Sequence, residues 1–131
     1  MIRRTAMPQD LTERVFSTVD AARPEAIADL FAPDGRFVFG NAEPLVGRDA
    51  VAAGCAGFFA SIAGLRHKFV NVWRVGPDTI AETDVTYHRH DGNSIVVPVV
   101  SIWRTNDEGL IVDYRIFGDL APVYTPLPTA E

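Results

Sequence analysis

Asp84 and Glu82 alternate along Ile80-Ala81-Glu82-Thr83-Asp84-Val85-Thr86-Tyr87-His88, so a strand here sets both carboxylates on one face. Across the next turn, Ser94–Trp103 is apolar on both faces, which places this strand inside a covered sheet. A buried, unpaired carboxylate is too costly to keep ionised, so the two must face water or a polar pocket. We read a pocket. The candidate base is His67, which opens the preceding strand. If the two strands are antiparallel neighbours, His67 and Asp84 enter one cavity. A carboxylate that holds an imidazole fixes its tautomer and raises its basicity, as general-base catalysis needs. The plainer alternative has His67 capping a loop and Asp84 bound to backbone or solvent.

Other polar residues carry weaker signals. Glu82, about 7 Å along the strand from Asp84, would ordinarily sit at a sheet rim against an arginine. His88 and His90 form a His-X-His pair, but no third ligand stands at useful spacing, so we expect solvated rings and no metal. Asn41 could place a substrate or a water, or serve the turn before Pro44. Ser101 could steady a substrate oxygen, while Trp103 and Tyr114 would line a pocket or a subunit interface. Cys55 falls on the inner stripe of a helix and reads as a small buried hydrophobe. No GxGxxG, Walker or cofactor-lysine motif occurs, so no organic cofactor is implied.

The elements that must position these groups follow from periodicity and turn chemistry. A helix from about Asp10 to Ala22 opens on a capping box with Glu13 and buries Val15, Phe16 and Val19, after a loose arm over residues 1–8. Pro24 starts a short second helix with Ile27, Leu30 and Phe31 inward, stopped by Pro33-Asp34-Gly35. A short strand, Arg36–Gly40, precedes a third helix from Asp49 that carries Val51, Cys55, Phe58, Phe59 and Ile62. Strands follow at His67–Val75, Thr79–His90, Ser94–Arg104 and Leu110–Leu120, with Asp91-Gly92 as a hairpin turn. The tail with Pro122, Pro126 and Pro128 should wrap the surface. Helices first and a meander afterwards mean α+β. The expected architecture is a curved antiparallel sheet wrapped around three N-terminal helices, a cone with an internal pocket.

The 131 residues fit one domain, and a net charge of −5 argues against nucleic acid and anionic membrane surfaces. No apolar run approaches the roughly 18 residues of a membrane span. A lone cysteine fits a reducing cytoplasm.

Two landmarks resemble a known family. One is the opening helix–short helix–strand with Gly47-Arg48-Asp49-Ala50-Val51 starting a third helix; the other is the closing meander from Asp84 to Asp119. Together, over about residues 9–124, they resemble the SnoaL-like branch of the nuclear-transport-factor-like superfamily. That superfamily spans cyclases, isomerases, dehydratases, epoxide hydrolases and binding domains, so the resemblance implies a fold more than an activity. Where its ketosteroid isomerases carry Tyr, Asp and Asp, this chain has Phe16, Phe39 and Ser101. Against limonene-type epoxide hydrolases, Asp84 and Asn41 match, but Glu82, Ile116 and Phe39 stand where Arg, Asp and Tyr belong. The dehydratases fit better. Their pocket histidine maps to His67, an aspartate at the end of the first helix maps to Asp20, and Asp84 would partner the histidine. Their tyrosines are lost at Val19 and Phe39.

These readings converge on a cofactor-independent dehydratase or cyclase/isomerase, with a non-catalytic binding domain as the alternative. His67 would abstract a proton beside a carbonyl, and Asp84 and Asp20 would orient it. Asn41, Phe16, Phe39, Ser101, Trp103 and Tyr114 would surround a small hydrophobic molecule. Apolar character on both faces of Ile95–Trp103 further implies a homodimer.

Overall fold

The computed structural model describes residues 3–4 and 11–126. The expected capping box at Asp10, most of the N-terminal arm and Pro128 lie outside those residues. In chain order the elements are β1 (Arg3–Arg4), α1 (Leu11–Asp20), α2 (Pro24–Ala28), β2 (Phe31–Phe39) and β3 (Leu45–Val46). Then come α3 (Arg48–Ala60), β4 (Gly64–Val75), β5 (Asp78–His88), β6 (Ser94–Thr105), β7 (Ile111–Phe117) and α4 (Ala121–Tyr124). The chain is α+β, as its pattern implies.

The seven strands among the described residues share one sheet in the order β1-β4-β5-β6-β7-β2-β3. β4 to β7 form the expected antiparallel meander. The closure differs from a purely antiparallel sheet, because β2 lies parallel to β7. A chain that has left β2 through α3 and crossed the whole meander can return to its flank in that sense. Register shifts in β4 between Phe69 and Asn71, and in β2 between Phe31 and Arg36, mark the bulges that bend the sheet over its helices.

Two boundaries depart from expectation for one reason. Phe31 opens β2 instead of closing α2, and Pro33-Asp34-Gly35 is the bulged stretch of that strand instead of a helix stop. Gly35 passes so close to β7 that a Cβ there would meet the Ile111 carbonyl oxygen at 2.8 Å, so only glycine fits. Long-range packing against β7 thus overrides the local turn signal.

The core has two lobes. Val15, Phe16, Phe31, Val51, Val72, Trp103 and Ile111 anchor one, between α1, α3 and one end of the sheet. Ile62, Leu65, Val85, Val97, Val99 and Val123 anchor the other. Phe59 and Ile116 touch both lobes, and the cavity opens between them.

Candidate functional site

Residues on one side of a strand repeat with period two, and β5 shows which row looks inward. Thr79, Ala81, Thr83, Val85 and Tyr87 are buried, whereas Ile80, Glu82, Asp84 and Thr86 are only partly covered. The carboxylates therefore stand on the face of the sheet turned away from the cavity. His67 lies opposite Val85, and Asp84 lies opposite Lys68. The expected His67–Asp84 pair does not form, since neighbours one register step apart project to opposite faces. Glu82 accepts a hydrogen bond from Asn71 at 2.9 Å, in place of the expected arginine.

His67 has a different carboxylate. Asp20, the last residue of α1, sets Oδ1 2.6 Å from His67 Nδ1. The same carboxylate accepts the His67 backbone N–H, at 3.2 and 3.1 Å to its two oxygens. Ala22, with φ 54°, turns the chain sharply just past α1 in a conformation that non-glycine residues rarely adopt. An ionised carboxylate only accepts, so Nδ1 carries the proton and Nε2 keeps its lone pair. Phe16 packs against the imidazole with ring centroids 4.5 Å apart and planes tilted by 38°, which restricts the ring's rotation. The His67 side chain is 8 % exposed, and its ring lines the cavity.

The cavity has two adjoining compartments. The inner one, about 40 Å³, is bounded by His67, Tyr87, Ser101 and Tyr114 among apolar neighbours such as Phe58 and Val99. The outer one, about 390 Å³, lies against Ala42, Leu45, Gly54, Leu120 and Tyr124. Phe37, Phe39, Cys55 and Phe58 belong to both walls, so a greasy collar separates the smaller space from the larger. Room for only a few waters inside limits what can enter to the small polar end of a ligand.

Burial governs the ionisation of this lining. It pushes the Tyr114 phenol well above its usual value, a hydrogen bond with Ser101 working the other way. It raises the Tyr87 phenol likewise, with the nearby Tyr124 adding to the effect, and pushes the Cys55 thiol up to about 11. All three stay protonated at neutral pH, and the phenols remain donors.

The remaining expected residues divide cleanly. Phe39, Ser101 and Tyr114 line the cavity. Phe16 and Trp103 do not: both are buried behind it, Phe16 against His67 and Trp103 stacked on Tyr114 at 5.3 Å. Asn41 sits exposed in the turn after β2, where chain reversal and not the cavity accounts for it. His88 and His90 are exposed, bonding Ser94 Oγ and the Ala60 carbonyl respectively. Among the described residues no three His, Cys, Asp or Glu side chains gather as a metal would need. Tyr87 was missed, although its alternation with Thr83 and Val85 marks the inward row.

The fold recurs in known structures. A protein of ketosteroid isomerase-like fold from Catenulispora acidiphila, crystallised with trimethylamine, matches with TM-score 0.79 and 22% identity over 86% of this chain and 88% of its own. A Jannaschia sp. CCS1 protein described as a putative SnoaL-like polyketide cyclase matches at 0.77 and 20% identity, covering 88% and 90% of the two chains. TerC, co-crystallised with polyporic acid, matches at 0.74 and 14% identity over 85% and 90%. No curated protein matches the chain. These likenesses establish the nuclear-transport-factor-like fold. With the SnoaL-like domain model matching residues 12–114, the chain belongs to the SnoaL-like domain family.

Proposed function

We propose that the protein is a cofactor-independent acid–base enzyme of the dehydratase or cyclase/isomerase type, acting on a small hydrophobic hydroxyl or carbonyl compound. One observation carries the reading: the 2.6 Å contact between Asp20 and His67 Nδ1, which leaves Nε2 as a base on the cavity wall. Nε2 would take a proton from the carbon beside a carbonyl, and the C–H electron pair would move into an enolate. Proton transfer by a base so placed contributes roughly 10²–10⁴ in rate, and Asp20 would offset the imidazolium charge. The imidazolium then returns its proton to carbon, or gives it to a departing hydroxide to form water. The small molecules bound to two structural neighbours, trimethylamine and polyporic acid, support small-molecule occupancy of this fold.

Asp84 has no part in the step, because it faces the other side of the sheet. That outer face bears on assembly instead. Val96 is 61 % exposed there, Ile80, Val100 and Ile102 are half-buried, and Glu82 and Asp84 stand near Arg66 and Lys68. A mixture of apolar surface and both charge signs suits pairing with a second copy about a two-fold axis, and we include a homodimer in the proposal. A cytoplasmic setting, which suits the free thiol of buried Cys55, belongs to it as well. Among the described residues no helix is long and apolar enough to cross a membrane.

The test is deuterium exchange into the methylene groups of 2-tetralone, an enolisable bicyclic ketone, followed by proton NMR in D₂O. Wild type should accelerate exchange, His67→Gln should fall to the buffer rate, and Asp20→Asn should fall about 10–100-fold. If wild type and His67→Gln exchange at the same rate, binding without turnover is the better account. The outer compartment favours that second reading, since Cys55 and Tyr124 are its only titratable wall residues.

A further inference from the structure

We propose that Tyr87 is the hydrogen-bond donor that holds the substrate's carbonyl oxygen while His67 moves the proton, an assignment that rests on the acid–base reading above. The sheet register carries it. Leu65 stands opposite Tyr87 and His67 opposite Val85, so His67 and Tyr87 are diagonal neighbours on the inward face of adjacent strands. Such neighbours lie about 7–8 Å apart at their origins, a span that a carbonyl and its adjacent carbon can bridge. Both side chains bound the inner compartment.

Competing donors are less well placed. Ser101 is opposite Ala81, four residues along β5 from Val85, or about 13 Å by strand rise. It also lies one strand further from β4. Tyr114, on β7, lies further still from β4. Asn41 is exposed outside the cavity altogether. The Tyr87 hydroxyl, by contrast, makes no hydrogen bond to any described residue, and the Tyr87 ring is 3 % exposed with Phe58 set edge-on against it at 6.2 Å. A phenol buried among Phe58, Leu65 and Val99 keeps its proton, as its raised ionisation range requires. The ring would be fixed before the ligand arrives, and preorganised donors of this kind are where transition-state charge is stabilised.

In the step itself, Nε2 removes the proton and the developing negative charge collects on the carbonyl oxygen. Tyr87 Oη donates to that oxygen without losing its proton. Its bond therefore strengthens as the enolate forms and relaxes when carbon is reprotonated.

The experiment is infrared difference spectroscopy of carbonyl-labelled 2-tetralone bound to the intact protein, alongside the exchange assay. Wild type should shift the carbonyl band to lower frequency. Tyr87→Phe, which removes only the hydroxyl, should abolish the shift and lower kcat for exchange by about 10²–10³-fold, with KM changing far less. His67→Gln should keep the shift while losing exchange. An unshifted band in wild type, a shift that survives Tyr87→Phe, or one that follows Ser101→Ala instead overturns the assignment. Exchange that ignores Tyr87→Phe sinks Tyr87 and leaves the His67 reading standing. A Tyr87-dependent shift in a protein that exchanges no deuterium does the reverse.

Discussion

One carboxylate, Asp20, fixes both the backbone and the ring of His67, and the site depends on that double contact. Its side chain is 28 % exposed, so Asp20→Asn should cost about 1–2 kcal/mol in urea unfolding, the lower part of the range for charge-assisted hydrogen bonds. Cys55 offers an independent check on burial. Its folded ionisation lies near 11 against an ordinary 9.0, so the unfolded chain loses the thiol proton first. The stability it contributes is complete below pH 9 and is lost as pH rises toward 11. Alkylation by iodoacetamide at pH 8 should be far slower than for a free thiol, and Cys55→Ser should flatten the alkaline loss. The contact of His67 with Asp20 was legible through the resemblance, although β4 starts at Gly64, three residues before the expected strand start at His67. Asp84 was not. Alternation gave two rows on β5, and an apolar partner strand leaves open which row looks inward; Thr83, Val85 and Tyr87 answered that only through their burial.

At the scale of elements, α4 is a strap over the outer compartment, to which Leu120 and Tyr124 contribute. Arg89, in the turn between β5 and β6, holds it by donating to the Pro122 and Thr125 carbonyls at 3.0 and 2.6 Å. Asp91 orients that guanidinium through contacts of 2.8 to 3.2 Å, and Tyr124 Oη meets Ser61 Oγ at 2.8 Å. Arg89→Ala should speed hydrogen exchange at the Val123 and Thr125 amides, whose partners are Leu120 and Ala121 carbonyls, while amides in β5 stay protected. The Arg89 contact also holds the Asp91 carboxyl down to about 2 from 3.8. Its stabilising effect is present above pH 3.8 and lost as pH falls toward 2, so Asp91→Asn should remove one acid-dependent component from the unfolding curve. The meander was readable from its turns, Asp91-Gly92 among them. The strap and the parallel β2–β7 pairing were not, because each rests on partners tens of residues away.

The whole molecule sets helices on one face of a sheet whose other face carries Val96, Phe117 and half-buried isoleucines. β1 pairs with only Trp73 and Arg74 at one end of the outer edge of β4, and the opposite edge is the two-residue β3. The homodimer proposed above would use the face. Light scattering should find a dimer for wild type and a monomer for Val100→Arg, a change on the outer row that leaves the inward row intact. A net charge of −5 sets no bar to such pairing when the face carries both signs.

The most direct measurement is the tautomer of His67, read from its imidazole nitrogen shifts and long-range proton couplings in wild type and in Asp20→Asn. The account predicts a neutral ring protonated at Nδ1 in wild type, with a downfield Nδ1 proton that disappears in Asp20→Asn and persists in Asp84→Asn. A ring protonated at Nε2, or one indifferent to Asp20, would contradict it.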